Sequence, residues 1–339
     1  KQQFLTVAER LLPRYFKKKA RILGPSDSLP FEGIPKVKVG APKDFDPEGW
    51  PQFWQSVGEW VKKIVTSPNA PIEHAMTEIC IAPQLYFLLK TCHKVKNMQL
   101  SVTLALTNIA ASKFCHHIFE NQMPDKVDFV PLLVQLVVSP DQALRMEACC
   151  CLANIAGHSI RARKNILSTP SAVENLLLNV VPGTSKPILS RALCTLVNLC
   201  RQLPGPYDVA MRPAIRDFVT IAGAVYRPSP EPMSFKEEEV ELARYSLWGL
   251  AFLTELESDG REWVLESRAA VATLVGLLEH PDFDIITPAL RTLGNLVSGV
   301  GMETTEVINA GALPIIGDLL VHQSCFIRKE ACWLLSNVA

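Results

Sequence analysis

Five asparagines and one phenylalanine recur at one position of a repeated pattern. Asn108 closes TLALTNIA, Asn154 closes CCCLANIA, Asn198 lies in CTLVNLCR, Asn295 in LRTLGNLVS and Asn337 in CWLLSNVA, while Phe252 takes the same place in SLWGLAFLTE. A primary amide offers two N–H donors and a carbonyl acceptor. A row of such amides can therefore pair with the backbone of an extended chain, whatever side chains that chain carries. One helical turn earlier, on the same face, stand Leu104, Cys150, Cys194, Trp248, Arg291 and Trp333. A tryptophan there can pack the aliphatic stem of a lysine or arginine and attract its charge, with ~0.5–2 kcal/mol from the cation–π contact. Leu104, Cys150 and Cys194 have no ring to offer.

Other chemistry is not legible. No Gly-rich phosphate loop with a lysine, no G-x-S-x-G, no H-E-x-x-H and no carboxylate pair on a plausible cleft occurs, so no enzymatic activity is expected. Cys92-His93 and Cys115-His116-His117 invite a metal reading. Adjacent residues on a helix point about 100° apart, however, so neither run converges on one ion. Neither a metal nor a cofactor is expected.

The elements that must position the repeated residues follow from their spacing. Successive anchors are 42 to 54 residues apart, the interval of armadillo or HEAT-type helical repeats. Each period reads as an apolar helix such as VDFVPLLVQLVV, a polar turn such as SPDQ, a longer helix ending in the anchor, then a short helix such as IRARKNILS or TTEVINAG. In the long helix Ala148, Leu152, Ile155 and Ala156 recur at i, i+4, i+7 and i+8 and form one core stripe. Three helices per period favour the armadillo arrangement: an all-α, right-handed solenoid of about six repeats over residues 97–339, with the third helices along one concave face. The longest interval contains RPSPEPMSFKEEEVE, residues 227–241, read as a surface insertion because of its prolines and acidic run.

Residues 1–45 read as an irregular arm that must lie on another surface to be ordered. Residues 46–96 read as amino-terminal capping helices and a degenerate repeat; Trp50, Trp54 and Trp60 form an aromatic stripe that caps the open end of the stack. Composition excludes other classes. Basic and acidic residues are equal, 34 each, so nothing in the overall charge points to nucleic acid. No run of about 18 apolar residues suggests a transmembrane helix. The run Cys149-Cys150-Cys151 reads as thiols in a reducing compartment.

With these residues in place, the chain resembles the importin-alpha family, adaptors that carry basic nuclear localisation peptides. PALRTLGNLVSG, VINAGALPIIGDLL and IRKEACWLLSNVA look like two consecutive repeats of that family, and CLANIAGHS and TLVNLCRQLPGP look like earlier ones. The resemblance covers roughly residues 97–339. It implies that Asn108, Asn154 and Asn198 are backbone clamps of the family's larger peptide site, though their tryptophan partners are missing. It further implies that Trp248 with Phe252, Arg291 with Asn295, and Trp333 with Asn337 continue the groove toward the smaller site. His158 stands where the family tends to have Asp, and Arg161, Arg163 and Lys164 follow it. At the amino terminus only PRYFKKKARI is basic, which argues against importin-beta binding.

The expectation is a non-catalytic scaffold that holds an extended peptide or protein partner in its groove, as a subunit of a larger assembly. The alternative is an import adaptor reading basic peptides at Trp248, Trp333, Asn295 and Asn337. Family resemblance places the chain in cytoplasm or nucleus; a reducing organelle matrix such as the mitochondrion suits the thiols equally.

Overall fold

A computed structural model describes residues 82–91, 96–112, 115, 119, 127–202, 209–226, 236–255, 259–267, 269–299 and 302–338. The arm at 1–45, the tryptophan stripe at Trp50, Trp54 and Trp60, and His93, His116 and His117 lie outside them.

The described residues form an all-α solenoid without a strand. The helices are α1 (Ala82–Thr91), α2 (Lys96–Ala110), α3 (Val130–Leu136), α4 (Gln142–His158), α5 (Ile160–Ser168), α6 (Ala172–Leu177), α7 (Lys186–Cys200), α8 (Ala214–Gly223), α9 (Glu237–Thr254), α10 (Gly260–Glu266), α11 (Ala270–Gly276), α12 (Phe283–Leu296), α13 (Met302–Asn309), α14 (Ala312–Leu319) and α15 (Cys325–Val338). The long helices α2, α4, α7, α9, α12 and α15 each carry one anchor residue, and each packs on the next. A short helix precedes each of them in its layer. IRARKNILS coincides with α5, and the polar SPDQ turn separates α3 from α4.

Local chemistry fixes where these helices begin. Asp141 caps α4 by accepting from the amides of Ala143 at 2.9 Å and Leu144 at 3.3 Å, and Ser159 caps α5 through Ala162 N at 3.1 Å. Fifteen residues before Asn154, Asn295 and Asn337 stand Ser139, His280 and His322. Each accepts the backbone N–H two residues on, at 3.2, 3.0 and 3.0 Å. Two different residue types thus serve one turn. Burial holds the pKa of His280 below its ordinary value, opposed by the nearby charge of Asp282, so the ring stays neutral and its Nδ1 stays an acceptor.

The core is one continuous seam. Ala148, Leu152, Ile155 and Ala156 are all fully buried, as their spacing requires, and they join the apolar faces of neighbouring layers in a single cluster. Each layer buries its stripe only against adjacent layers, the energetic hallmark of a repeat array.

The structure corrects the boundary of the expected insertion. The acidic run Glu237, Glu238 and Glu239 is the first turn of α9 rather than part of a loop. Carboxylates belong there because the helix dipole presents positive partial charge at the amino end.

Candidate functional site: the face of the third helices

Four of the repeated asparagines make the same bond. Asn154 Nδ2 donates to Thr107 O at 3.2 Å, Asn198 to Ala153 O at 2.9 Å, Asn295 to Ala251 O at 3.0 Å and Asn337 to Gly294 O at 3.0 Å. The acceptor is always the residue just before the anchor of the preceding layer, even where that anchor is Phe252. Asn154, Asn198, Asn295 and Asn337 are therefore brought together on one register, each tied through Nδ2 to the layer before it.

That tie changes what the amides can offer. Asn198 has its second N–H against Cys194 Sγ at 4.0 Å. Asn295 spends its second on Thr254 Oγ1 at 3.1 Å and is only 5% exposed. Asn154, Asn198 and Asn337 are half-buried, and each has an N–H committed to the layer before it. Asn108 is half-buried on the first third helix, α2.

The row one turn earlier is uneven. Cys150 is half-buried and Cys194 is buried. Burial pushes the Cys150 thiol up to about 11, with Arg191 opposing and Glu147 adding, and pushes Cys194 up to about 12, with Arg191 again opposing. Both are neutral thiols at physiological pH, unsuited to nucleophilic chemistry. Cys149 is likewise raised, to about 12 by burial. This half of the face is small, neutral and apolar where an aromatic slot was possible.

The other half is aromatic. Trp248 and Phe252, one turn apart, lie with ring centres 5.7 Å apart and planes tilted by 31°. Trp333 packs over Gly294, where an added Cβ would come within 2.2 Å of the indole. Arg291 Cζ sits 5.1 Å from the centre of the Trp333 ring, and its guanidinium donates to Glu330.

Sequence reasoning missed the ion pairs between layers. Arg244 pairs with Asp284 at 2.9 Å and Arg291 with Glu330, each joining a third helix to the next. The signal was present: Glu147 and Glu330 occupy the same place in EACCCLANIA and EACWLLSNVA. Burial raises the pKa of both, with Thr107 and Arg191 opposing for Glu147 and Arg291 opposing for Glu330. After His158, Arg163 is buried and donates Nη1 to Ala156 O at 2.9 Å. It caps α4 rather than facing a partner, while Arg161 is exposed.

Among the described residues no group of three or more His, Cys, Asp or Glu is arranged to hold a metal ion. No described helix is long and apolar enough to cross a membrane.

Layers of short helices around a ladder of third helices, tied by an anchor amide at four of the boundaries between them, define an armadillo-repeat solenoid. The Armadillo/beta-catenin-like repeat family matches residues 127–157, 263–298 and 304–339. A designed armadillo repeat protein aligns with a TM-score of 0.64 at 16% identity, over 76% of this chain and 100% of that one. Another, solved in complex with the peptide (KR)4, aligns with a TM-score of 0.64 at 18% identity, over 76% and 99%. Within this class the chain is a divergent, importin-alpha-like armadillo protein. It is 33% identical to importin subunit alpha-8 of Arabidopsis thaliana over 259 residues, 76% of this chain and 53% of that protein. It is 28% identical to importin subunit alpha-1b of Oryza sativa subsp. japonica over 280 residues, 82% and 48%. The chain spans about half the length of these curated relatives.

Proposed function

We propose that the chain is a non-catalytic scaffold that holds an extended segment of a protein partner along the third helices, as a subunit of a larger assembly. The observation that carries this reading is the register of Asn154, Asn198 and Asn337. Each is half-buried and each has Nδ2 committed to the layer before it. An amide fixed in this way presents its oxygen without further ordering cost, and preorganised acceptors are what the N–H groups of an extended backbone require. The groove site comprises Asn108, Asn154, Asn198, Trp248, Phe252, Arg291, Asn295, Trp333 and Asn337, with Asn295 acting from beneath the surface through the stack.

A second reading is favoured by the importin-alpha relatives: an import adaptor for basic peptides, working chiefly around Trp248 and Trp333. The same relatives favour cytoplasm and nucleus over an organelle matrix.

The test is to isolate the partner with this chain as bait and map the bound segment by cross-linking to the third helices. Asn154→Ala with Asn198→Ala is expected to abolish capture while the helical melt persists. A partner that binds the double variant as tightly as the wild type, or cross-links only to the outer helices, overturns the reading. Titration with a Lys/Arg-rich peptide separates the two alternatives: salt-sensitive binding lost in Trp333→Ala favours the adaptor.

A further inference from the structure

Arg191 stands on the inner face of α7. It lies three residues before Cys194 and seven before Asn198, the spacing that keeps all three on one side of a helix. The layers on either side hold Glu147 and Tyr245 at the same place relative to Asn154 and Phe252. Burial opposes its charge, while Cys150 on α4, Cys194, and Tyr245 and Glu241 on α9 favour it. One guanidinium therefore lies within reach of three successive third helices.

Its donors are not engaged by the fold. Among the described residues the half-buried Arg191 makes no side-chain hydrogen bond and no ion pair. Arg244 and Arg291, on later third helices, end on Asp284 and Glu330. The carboxylates near Arg191 are Glu147, which is 9% exposed, and the half-buried Glu241, and they act on it only through space. An arginine keeps its charge in such surroundings and presents five N–H donors in a planar fork that matches a carboxylate. Past Asn198 on the same side of α7 stands the half-buried Arg201, whose charge also acts on the buried Arg163. An extended chain turns successive side chains to opposite sides, so neighbouring residues of a segment crossing Asn198 meet positive charge both ways.

Resting on the groove reading above, we infer that the partner's segment is acidic where it crosses α7, and that Arg191 receives one of its carboxylates. A charge-assisted pair with a partly desolvated guanidinium is stronger than a neutral hydrogen bond. A lysine at the same place meets like charge and is disfavoured. The small, neutral thiols of Cys150 and Cys194 leave room for the carboxylate and add no competing anion.

The experiment titrates three labelled octapeptides by fluorescence anisotropy, with glutamate, glutamine or lysine at alternate positions and serine between them. They are measured against the wild-type chain, Arg191→Gln, Arg191→Gln with Glu147→Gln, and Arg212→Gln. The double variant removes the buried carboxylate that loses its neighbouring cation in the single one. Arg212, paired with Glu266 away from the third helices, controls for net charge, and a helical melt shows which forms are folded. The wild type and Arg212→Gln are expected to bind the glutamate peptide about tenfold more tightly than the glutamine peptide. Whichever Arg191 variant folds should bind those two within about twofold of each other. A glutamate preference that survives loss of Arg191, one that Arg212→Gln also removes, or equal binding of all three peptides by the wild type overturns the inference and leaves the groove reading standing. Tighter binding of the lysine peptide by the wild type overturns it in favour of the adaptor. If no folded form binds any peptide, the groove reading falls and the inference with it.

Discussion

Asn337 donates from Nδ2 to the backbone carbonyl of Gly294 at 3.0 Å, across the boundary between two repeats and in the register that Asn198 keeps with Ala153. The bond is structural before it is functional. It fixes how far one third helix slides along the next, and so fixes the spacing of every side chain on the shared face.

Replacing Asn198 by alanine removes one such tie from the interior of the array. The expected cost is about 1 kcal/mol, the usual net value of an intramolecular hydrogen bond, read as a lower urea midpoint with an unchanged slope. Asn295→Ala should cost more, because Asn295 is buried and also bonds Thr254. Equal, negligible losses at both positions would contradict a structural role for the row.

At Gly294 the reason for glycine is space. A Cβ would lie 2.2 Å from Trp333 Cζ3, well inside contact distance, so Gly294→Ala forces the indole off α12. Destabilisation of about 1–3 kcal/mol is expected, the range for overpacking, together with a red shift in tryptophan emission as the ring is exposed. Adding Trp333→Leu should recover most of the loss. A Gly294→Ala protein that melts like the wild type would refute this packing.

Leu152 is fully buried in the seam between layers. Leu152→Asp places a carboxylate there without a partner, at a cost of several kcal/mol that adjacent layers cannot absorb. Loss of the cooperative helical melt is expected, while Leu152→Ala should retain it at a cost of about 2–5 kcal/mol. A native melt for the aspartate variant would mean that the stripe does not face inward.

The turn before α12 should be sensitive to acid. His280 accepts from Asp282 N through Nδ1 and is buried, and its pKa lies below the ordinary 6.5. The unfolded chain therefore takes up the proton first. The contribution of this turn is complete above pH 6.5 and is lost as pH falls through the lower folded value. His280→Ser imitates the Ser139 turn, which has no titrating group. The stability difference between wild type and this variant should shrink between pH 7.5 and pH 5.5; a constant difference would show that the ring does not titrate with folding.

Much of this was written in the chain, and the reason is periodicity. A repeat that must bury its stripe against copies of itself leaves the same letters at the same interval, so Leu152 and Ile155 announced their burial, and the asparagines announced a common register. The acidic run at Glu237 follows three prolines and reads as part of an insertion, whereas it forms the first turn of α9. Charge at the first turn of a helix satisfies the dipole and needs no loop. The partners of the amides were not legible. Thr107, Ala153, Ala251 and Gly294 accept through their backbone, which carries no mark in the sequence.

What the sequence determined by itself was the repeating unit and its inward face, because these depend on spacing within one helix and on apolar content. Tertiary structure alone decided that Asn154, Asn198, Asn295 and Asn337 each tie two layers together. It also decided that Arg291 lies on Trp333 beside Glu330. Such contacts join residues about forty positions apart, and they depend on the lateral offset between neighbouring helices, which no local pattern encodes.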